Sequence, residues 1–333
     1  MRRSPILLAL LSASGLVLAG CGSGDGAAAG GEDEAPTVVM STNVYASLAE
    51  AVAGDGAEVL PIIDDPVQDP HEYEATARDQ LELSRADVVV MNGGGYDSFM
   101  TTMLEAADSE PSVVDAVAAS DLPGAEEAAT SGHDHGVHDH EGHDHEGHDH
   151  EGHDHEGHDH GSFNEHVWYS VPTMIALVDE VETHLAEAAP DGAETFAENA
   201  EAVRGELTDL HERIESLAET RGGANAAVTE PVALWLFEDL GLTNVIPDDF
   251  VSAVEMGSDV SPIVAAESTE ALDDDVSVFA YNTQTSGPQA EALRSEADER
   301  GIPVIDVTET MPDGTDYVTW MTETVDAVEQ EIA

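Results

Sequence analysis

The run VVMSTNVYASLAEAVA, residues 38–53, opens with an apolar stretch that reads as a strand over 38–41 and passes into a helical pattern over 44–53. The same unit recurs: strands at 58–63 and 86–91 alternate with helical patterns at 75–84 and 97–107. Strand and helix in alternation predict an α/β fold with a parallel sheet. Beyond residue 171 come two long amphipathic patterns, 172–189 and 194–219. In the second, Phe196, Val203, Leu207, Leu210, Ile214 and Leu217 fall at helical spacing, a stripe of core type. The final third alternates again, with strands at 226–229, 276–281 and 303–307 and helices near 231–240, 262–272, 288–300 and 317–332. Two α/β lobes joined by a long α-helix is the simplest reading. It divides the chain into an N-terminal lobe at 37–170, helices including the linker at 171–220, and a C-terminal lobe at 221–333.

The 333 residues carry 71 Asp and Glu against 9 basic residues, all Arg, for a formal net charge of -62. That balance excludes nucleic acid and anionic membrane surfaces as electrostatic partners and points to cations. With 16 His and a single Cys, an internal disulfide and a Cys-based zinc cluster are both excluded, so a metal site must use His and carboxylate.

The N-terminus reads MRR, then an apolar run over 6–19, then Leu18-Ala19-Gly20-Cys21. This is the pattern of a secretory signal at 1–20 ending in a lipobox, and the apolar run is too short for the roughly 20 residues of a membrane span. Cys21 stands where bacterial lipoproteins carry their lipid anchor. That resemblance places the mature chain outside the cytoplasm, held to the cell membrane, with 21–36 as a flexible tether rich in Gly, Ala and acid.

Residues 132–161 repeat a five-residue unit, mostly GHDHE, and hold His133, His135, His138, His140, His143, His145, His148, His150, His153, His155, His158 and His160. Val137 is the one large apolar residue there, so the segment buries too little surface to offset its ordering entropy and is predicted to be a disordered loop. Paired imidazoles with carboxylates between them suit a borderline-soft ion such as Zn(II), and the loop is expected to act as an accessory metal collector.

Outside the loop, four positions stand out: His71 in DPHEYE (69–74), His166 in NEHVW (164–168), Glu230 between the strand at 226–229 and Pro231, and Glu309 after the strand at 303–307. His71, Glu230 and Glu309 follow strand C-terminal ends, where open α/β sheets bind ligands. Glu230 is expected at a helix start, with Pro231 at the first helical position. Other candidates lack essential parts. HERIE at 211–215 has no second His for a HExxH zinc helix, and His211 and His184 read as solvated helix residues. Asp273-Asp274-Asp275 lacks the Gly and Glu of a calcium loop, and Asn92-Gly93-Gly94-Gly95 is neither GxGxxG nor accompanied by any Lys for a phosphate.

STNVY at 41–45, DPHEYE at 69–74, NEHVW directly after a His-rich insertion, and VTETMP at 307–312 together resemble the substrate-binding lipoproteins of bacterial zinc and manganese ABC transporters, the zinc uptake binding-protein family or cluster A-I. The resemblance covers about 37–333 and implies two Rossmann-like lobes, a linking helix at about 194–220 and one buried metal between the lobes, held by His71, His166, Glu230 and Glu309, with Asp306 as the alternative to Glu309. It implies a monomeric, non-enzymatic carrier that hands its ion to a transporter permease. Glu230 stands where zinc members usually place a third His and matches the manganese members, whereas the His-rich loop is a zinc feature. Zn(II) is the expected cargo, with Mn(II) or iron as the alternative. A zinc-buffering or adhesin lipoprotein without a transporter is the other reading of the chain. Four protein ligands would leave no open coordination position, which argues against a metallohydrolase.

Overall fold

The computed structural model describes residues 35–71, 73–131, 163–284 and 287–332. The signal, most of the tether and the His-rich segment therefore lie outside the described residues. In chain order the elements are β1 (Thr37–Thr42), α1 (Asn43–Ala53), β2 (Glu58–Ile63), α2 (Ala77–Leu83), β3 (Val88–Met91), α3 (Ser98–Ala106), β4 (Ser112–Asp115), α4 (Ala116–Ala119) and α5 (Ala125–Ser131). After the His-rich segment follow α6 (Val171–Ala188) and α7 (Ala193–Arg221). The last part holds β5 (Asn225–Val228), α8 (Leu234–Asp239), β6 (Thr243–Asn244), α9 (Asp248–Glu255), α10 (Pro262–Ala271), β7 (Val276–Asn282), α11 (Pro288–Arg300), β8 (Val304–Val307) and α12 (Tyr317–Glu331).

These strands make two four-stranded sheets, ordered β2-β1-β3-β4 and β6-β5-β7-β8, and every pairing is parallel. Both are covered α/β sheets, so the central strands are apolar throughout: Val88 to Met91 is buried at all four positions, and so is most of β1. The order places β1 and β5 at corresponding positions, with the next strand on one side and the one after it on the other, so each sheet has a switch point, between β1 and β3 and between β5 and β7, where open α/β sheets form a crevice at their C-terminal strand ends.

Helix α7, at 29 residues, is about 43 Å long at 1.5 Å per residue and packs against α6, α1 and α12, thereby touching elements of both lobes. Its buried residues are Phe196, Ala200, Val203, Leu207, Leu210, Ile214 and Leu217, the stripe expected from spacing. Phe196 needs glycine on two sides, since a Cβ on Gly56 or Gly192 would come within 2.5 or 2.6 Å of its ring.

Differences from expectation lie in short or locally capped elements. The helix expected at 75–84 begins at Ala77, because Thr76 closes a capping box with Asp79. Pro231 does not open a helix: α8 starts at Leu234, and Glu230 lies on the turn before it. The strands β4 and β6 and the helices α4, α5 and α9 lie where the sequence pattern predicts no element; β6 has only two residues and α9 only eight.

Candidate metal site between the lobes

The loop after β2 carries His71, whose main-chain N–H donates to Asp69 Oδ1 at 2.8 Å. His166 opens the short turn Val167–Tyr169 and is completely buried. Its Nδ1 lies 2.8 Å from Asn164 Oδ1, which also accepts the His166 backbone N–H, so Nδ1 carries the proton and Nε2 presents a lone pair to the crevice. The same Asn164 amide donates to Pro231 O at 3.0 Å, tying the His166 turn to the segment that bears Glu230.

Glu309 lies two residues past β8 and is 1% exposed. Asn282 at the end of β7 donates to its Oε1 at 2.9 Å, and Gln284 Oε1 accepts its backbone N–H. That leaves Oε2 facing His71 Nε2 at 3.3 Å. His71, His166 and Glu309 form a cluster whose ligating atoms lie within 4.8 Å of one another. Asp306 points away: its side chain is 60% exposed and pairs with Arg294 at 3.4 Å, as the alternation of β8 requires.

Glu230 is buried near this cluster but belongs to neither of the two groups with metal-ligand spacing among the described residues. Burial, with the Glu255 and Glu309 charges, pushes its carboxyl up to about 8. The second group joins His71 with Glu165 and Glu255, two residues that motif reading passed over. Glu165 precedes His166 in sequence and lies 4.0 Å from His71 Nδ1, so its adjacency to a candidate ligand was the available signal. Glu255 carries none, since the eight residues of its helix α9 give too few periods to mark it.

The electrostatics are those of a cation site. Burial would lower the His71 imidazole, but the Glu255 and Glu309 carboxylates push it up to about 11. Burial likewise opposes ionisation of Glu309, but His71 and His166 hold its carboxyl below the usual range. Without a bound ion the carboxylates therefore depend on a protonated imidazole. His166 Nε2, Glu309 Oε2, Glu255 Oε1 and both Glu230 oxygens are buried without a hydrogen-bond partner of good geometry among the described residues. Tyr96 meets His71 edge-on at 4.9 Å between ring centroids, and Trp168 lies 5.1 Å from His166, so the site is walled by aromatic rings. The donor set of neutral imidazole and carboxylate fits a divalent transition metal.

The glycine-rich turn after β3 supports this site instead of a phosphate. Gly93, Gly94 and Gly95 all take positive φ, and the Asn92 and Gly93 N–H groups donate to the Asp97 carboxylate, which fills the anion position. Asn92 Nδ2 in turn donates to Glu165 O at 3.0 Å, fixing the backbone next to His166. His184 and His211 are half-buried helix residues, paired with Glu180 one turn earlier and Glu215 one turn later, and neither belongs to the crevice cluster.

Two parallel α/β lobes thus meet at a cluster of His and carboxylate side chains. Residues 38–331 match the family described as zinc-uptake complex component A, periplasmic (ZnuA), and the chain belongs to it. This is a family of solute-binding proteins, not enzymes. Among curated relatives, the manganese-binding lipoprotein MntA of Halalkalibacterium halodurans is 28% identical over 62% of this chain and 57% of its own length. The zinc-binding lipoprotein AdcA of Streptococcus pneumoniae is 28% identical over 99% of this chain and 61% of its own. The iron-binding protein YfeA of Yersinia pestis is 24% identical over 62% of this chain and 58% of its own. The chain thus spans about three-fifths of the length of each of these three relatives. Among solved structures, the periplasmic zinc-binding protein TroA from Treponema pallidum superposes with a TM-score of 0.65 at 19% identity, covering 90% of this chain and 100% of that one. Zn(II)-bound AdcA from Streptococcus pneumoniae gives 0.63 at 21%, covering 90% and 58%. These likenesses carry the fold.

Proposed function

We propose that this protein captures Zn(II) outside the cytoplasm and delivers it to the permease of an ABC transporter. The observation that carries the reading is the convergence of His71, His166 and Glu309 between the lobes, with His166 Nε2 and Glu309 Oε2 buried and without a hydrogen-bond partner of good geometry among the described residues, atoms that a dication would satisfy. Two neutral imidazoles and two carboxylates neutralise a dication in a desolvated crevice, and the motif reading supplies Glu230 as the second carboxylate. The twelve imidazoles of 132–161 support zinc over manganese, and they serve as a weak collector that raises the ion's concentration near the site. Cys21 supplies the lipid anchor and the chain works as a monomer.

A second reading, Mn(II) or iron as cargo, is favoured by the carboxylate-rich donor set and by the likeness to manganese- and iron-binding relatives. Competition between Zn(II) and Mn(II) under a chelator, followed by Trp168 fluorescence, decides between them. Tighter Mn(II) binding overturns the zinc assignment. Deleting 132–160 is expected to preserve one tight site and lower the total stoichiometry, and loss of the tight site would make the segment part of it.

A further inference from the structure

The mouth of the crevice holds a second group with metal-ligand spacing, His71, Glu165 and Glu255, which shares only His71 with the buried group of His71, His166 and Glu309. The two groups lie at different depths. Side-chain exposure is 27% for His71, 23% for Glu165 and 16% for Glu255, against 0% for His166 and 1% for Glu309. Glu165 reaches His71 Nδ1 at 4.0 Å, and its backbone carbonyl accepts from Asn92 Nδ2 at 3.0 Å. Glu255 comes from the other lobe, as the last residue of α9. A carboxylate there faces the negative end of the helix macrodipole, where a cation is preferred. Its Oε1 nonetheless points inward, 3.3 Å from His71 Nε2 and 3.4 Å from His166 Nε2, buried and without a hydrogen-bond partner of good geometry among the described residues.

Depth and sharing together define an order of events. An ion arriving from solvent meets Glu165 and Glu255 before it can reach His166 and Glu309, which have almost no solvent access of their own. A hydrated dication must also shed its water before it enters a desolvated pocket, and doing so in one step is costly. Carboxylates that replace part of that water at half depth divide the cost between two smaller steps. Resting on the metal-carrier reading, we infer that His71, Glu165 and Glu255 form a staging site at the crevice mouth, where the incoming divalent cation is first held by direct carboxylate contacts and then passed along His71 to His166 and Glu309. The buried site keeps its own ligands, and the shared imidazole means that the two positions are filled in turn. Because the staging site lies on the path in both directions, it lowers the barrier to entry and to release alike.

The test uses the full-length protein in stopped-flow mixing with Zn(II), read by the fluorescence of Trp168, whose ring lies 5.1 Å from that of His166. Release is started with excess chelator. Glu165→Gln is expected to slow association and dissociation by a similar factor, about tenfold, the low end of what a charged cleft contributes to encounter rates. The affinity from chelator competition then stays within a few-fold of the parent. Asp259→Asn removes one exposed charge four residues beyond Glu255 and is expected to keep both rates at parent values. Glu255→Gln is expected to slow association likewise, and it serves if the Glu165 variant folds poorly. Association at the parent rate in both Gln variants overturns the staging site, as does an equal slowing in Asp259→Asn. Slower association with unchanged dissociation also overturns it, since that marks long-range attraction, and so does faster dissociation alone, which marks a support of the tight site. His71→Ala separates the two levels: if it abolishes tight binding while Glu165→Gln leaves both rates unchanged, only the staging site falls. If tight binding survives His71→Ala, the metal-carrier reading of the cluster falls with it.

Discussion

Asn43 and Met311, 268 positions apart, exchange two hydrogen bonds across the lobes: Asn43 Nδ2 donates to Met311 O at 2.8 Å, and Met311 N–H donates to Asn43 Oδ1 at 2.9 Å. Asn43 begins α1 directly after β1, and Met311 lies two residues beyond Glu309. The pair therefore fixes the loop that carries a candidate ligand against the first strand–helix unit of the opposite lobe. Tyr317 and Tyr169 reinforce it, donating to Trp168 O at 2.6 Å and Thr308 O at 2.9 Å.

Asn43→Ala orphans two buried backbone groups of Met311, each worth about 1–3 kcal/mol when left unpaired. The metal-free variant is expected to lose stability of that order in urea unfolding. A loss below 0.5 kcal/mol, about the scale of a neutral surface substitution, would show that the lobes do not depend on this pair.

Zinc is expected to raise the melting temperature, since a ligand at 100 times its dissociation constant adds about 2.7 kcal/mol to a folded state that alone binds it. The shift due to the first equivalent should vanish in His71→Ala. Scanning calorimetry with chelator-buffered zinc measures it, and an unchanged shift in the variant removes His71 from the site.

Metal binding should release protons. At pH 7 the His71 imidazole, at about 11, and the Glu230 carboxyl, at about 8, both lie above the solution pH and hold protons in the metal-free protein. An ion that takes the His71 lone pair must displace its proton, so affinity falls as pH drops and rises as pH climbs from 6 towards 8. Titration calorimetry in buffers of different ionisation enthalpy reads the protons directly. A heat independent of buffer would contradict the prediction.

Gln284 is placed to transmit occupancy from one lobe to the other. Its Oε1 accepts the Glu309 and Thr310 N–H groups, while Nε2 lies 3.2 Å from both Pro66 O and Gln68 O on the loop that leads to His71. Gln284→Ala is expected to weaken metal binding about tenfold and to speed amide exchange within residues 64–71. Exchange in that loop at the parent rate would show that Gln284 does not hold it.

Much of the fold was legible in the chain because its signals are periodic and local. The apolar runs of β1, β2, β3, β7 and β8 and the stripe from Phe196 to Leu217 follow from side-chain spacing alone, and alternation then implies parallel sheets. His71, His166 and Glu309 could be singled out because each stands in a motif beside a strand end or next to the His-rich segment. The two-residue β6 and the eight-residue α9 give too few periods to detect, and Thr76 moved the start of α2 through a cap.

What sequence by itself determined is the material of the site: two lobes, imidazole and carboxylate as the available donors, and a strongly acidic chain with a His-rich insertion. What tertiary structure decided is which carboxylates face the imidazoles. Glu309 turns inward while Asp306, three residues earlier, turns out to Arg294, and Glu255 arrives from a helix end with no motif to mark it. The reason is physical: spacing fixes how a side chain leaves its own element, but distance between ligands depends on how two separately folded lobes meet.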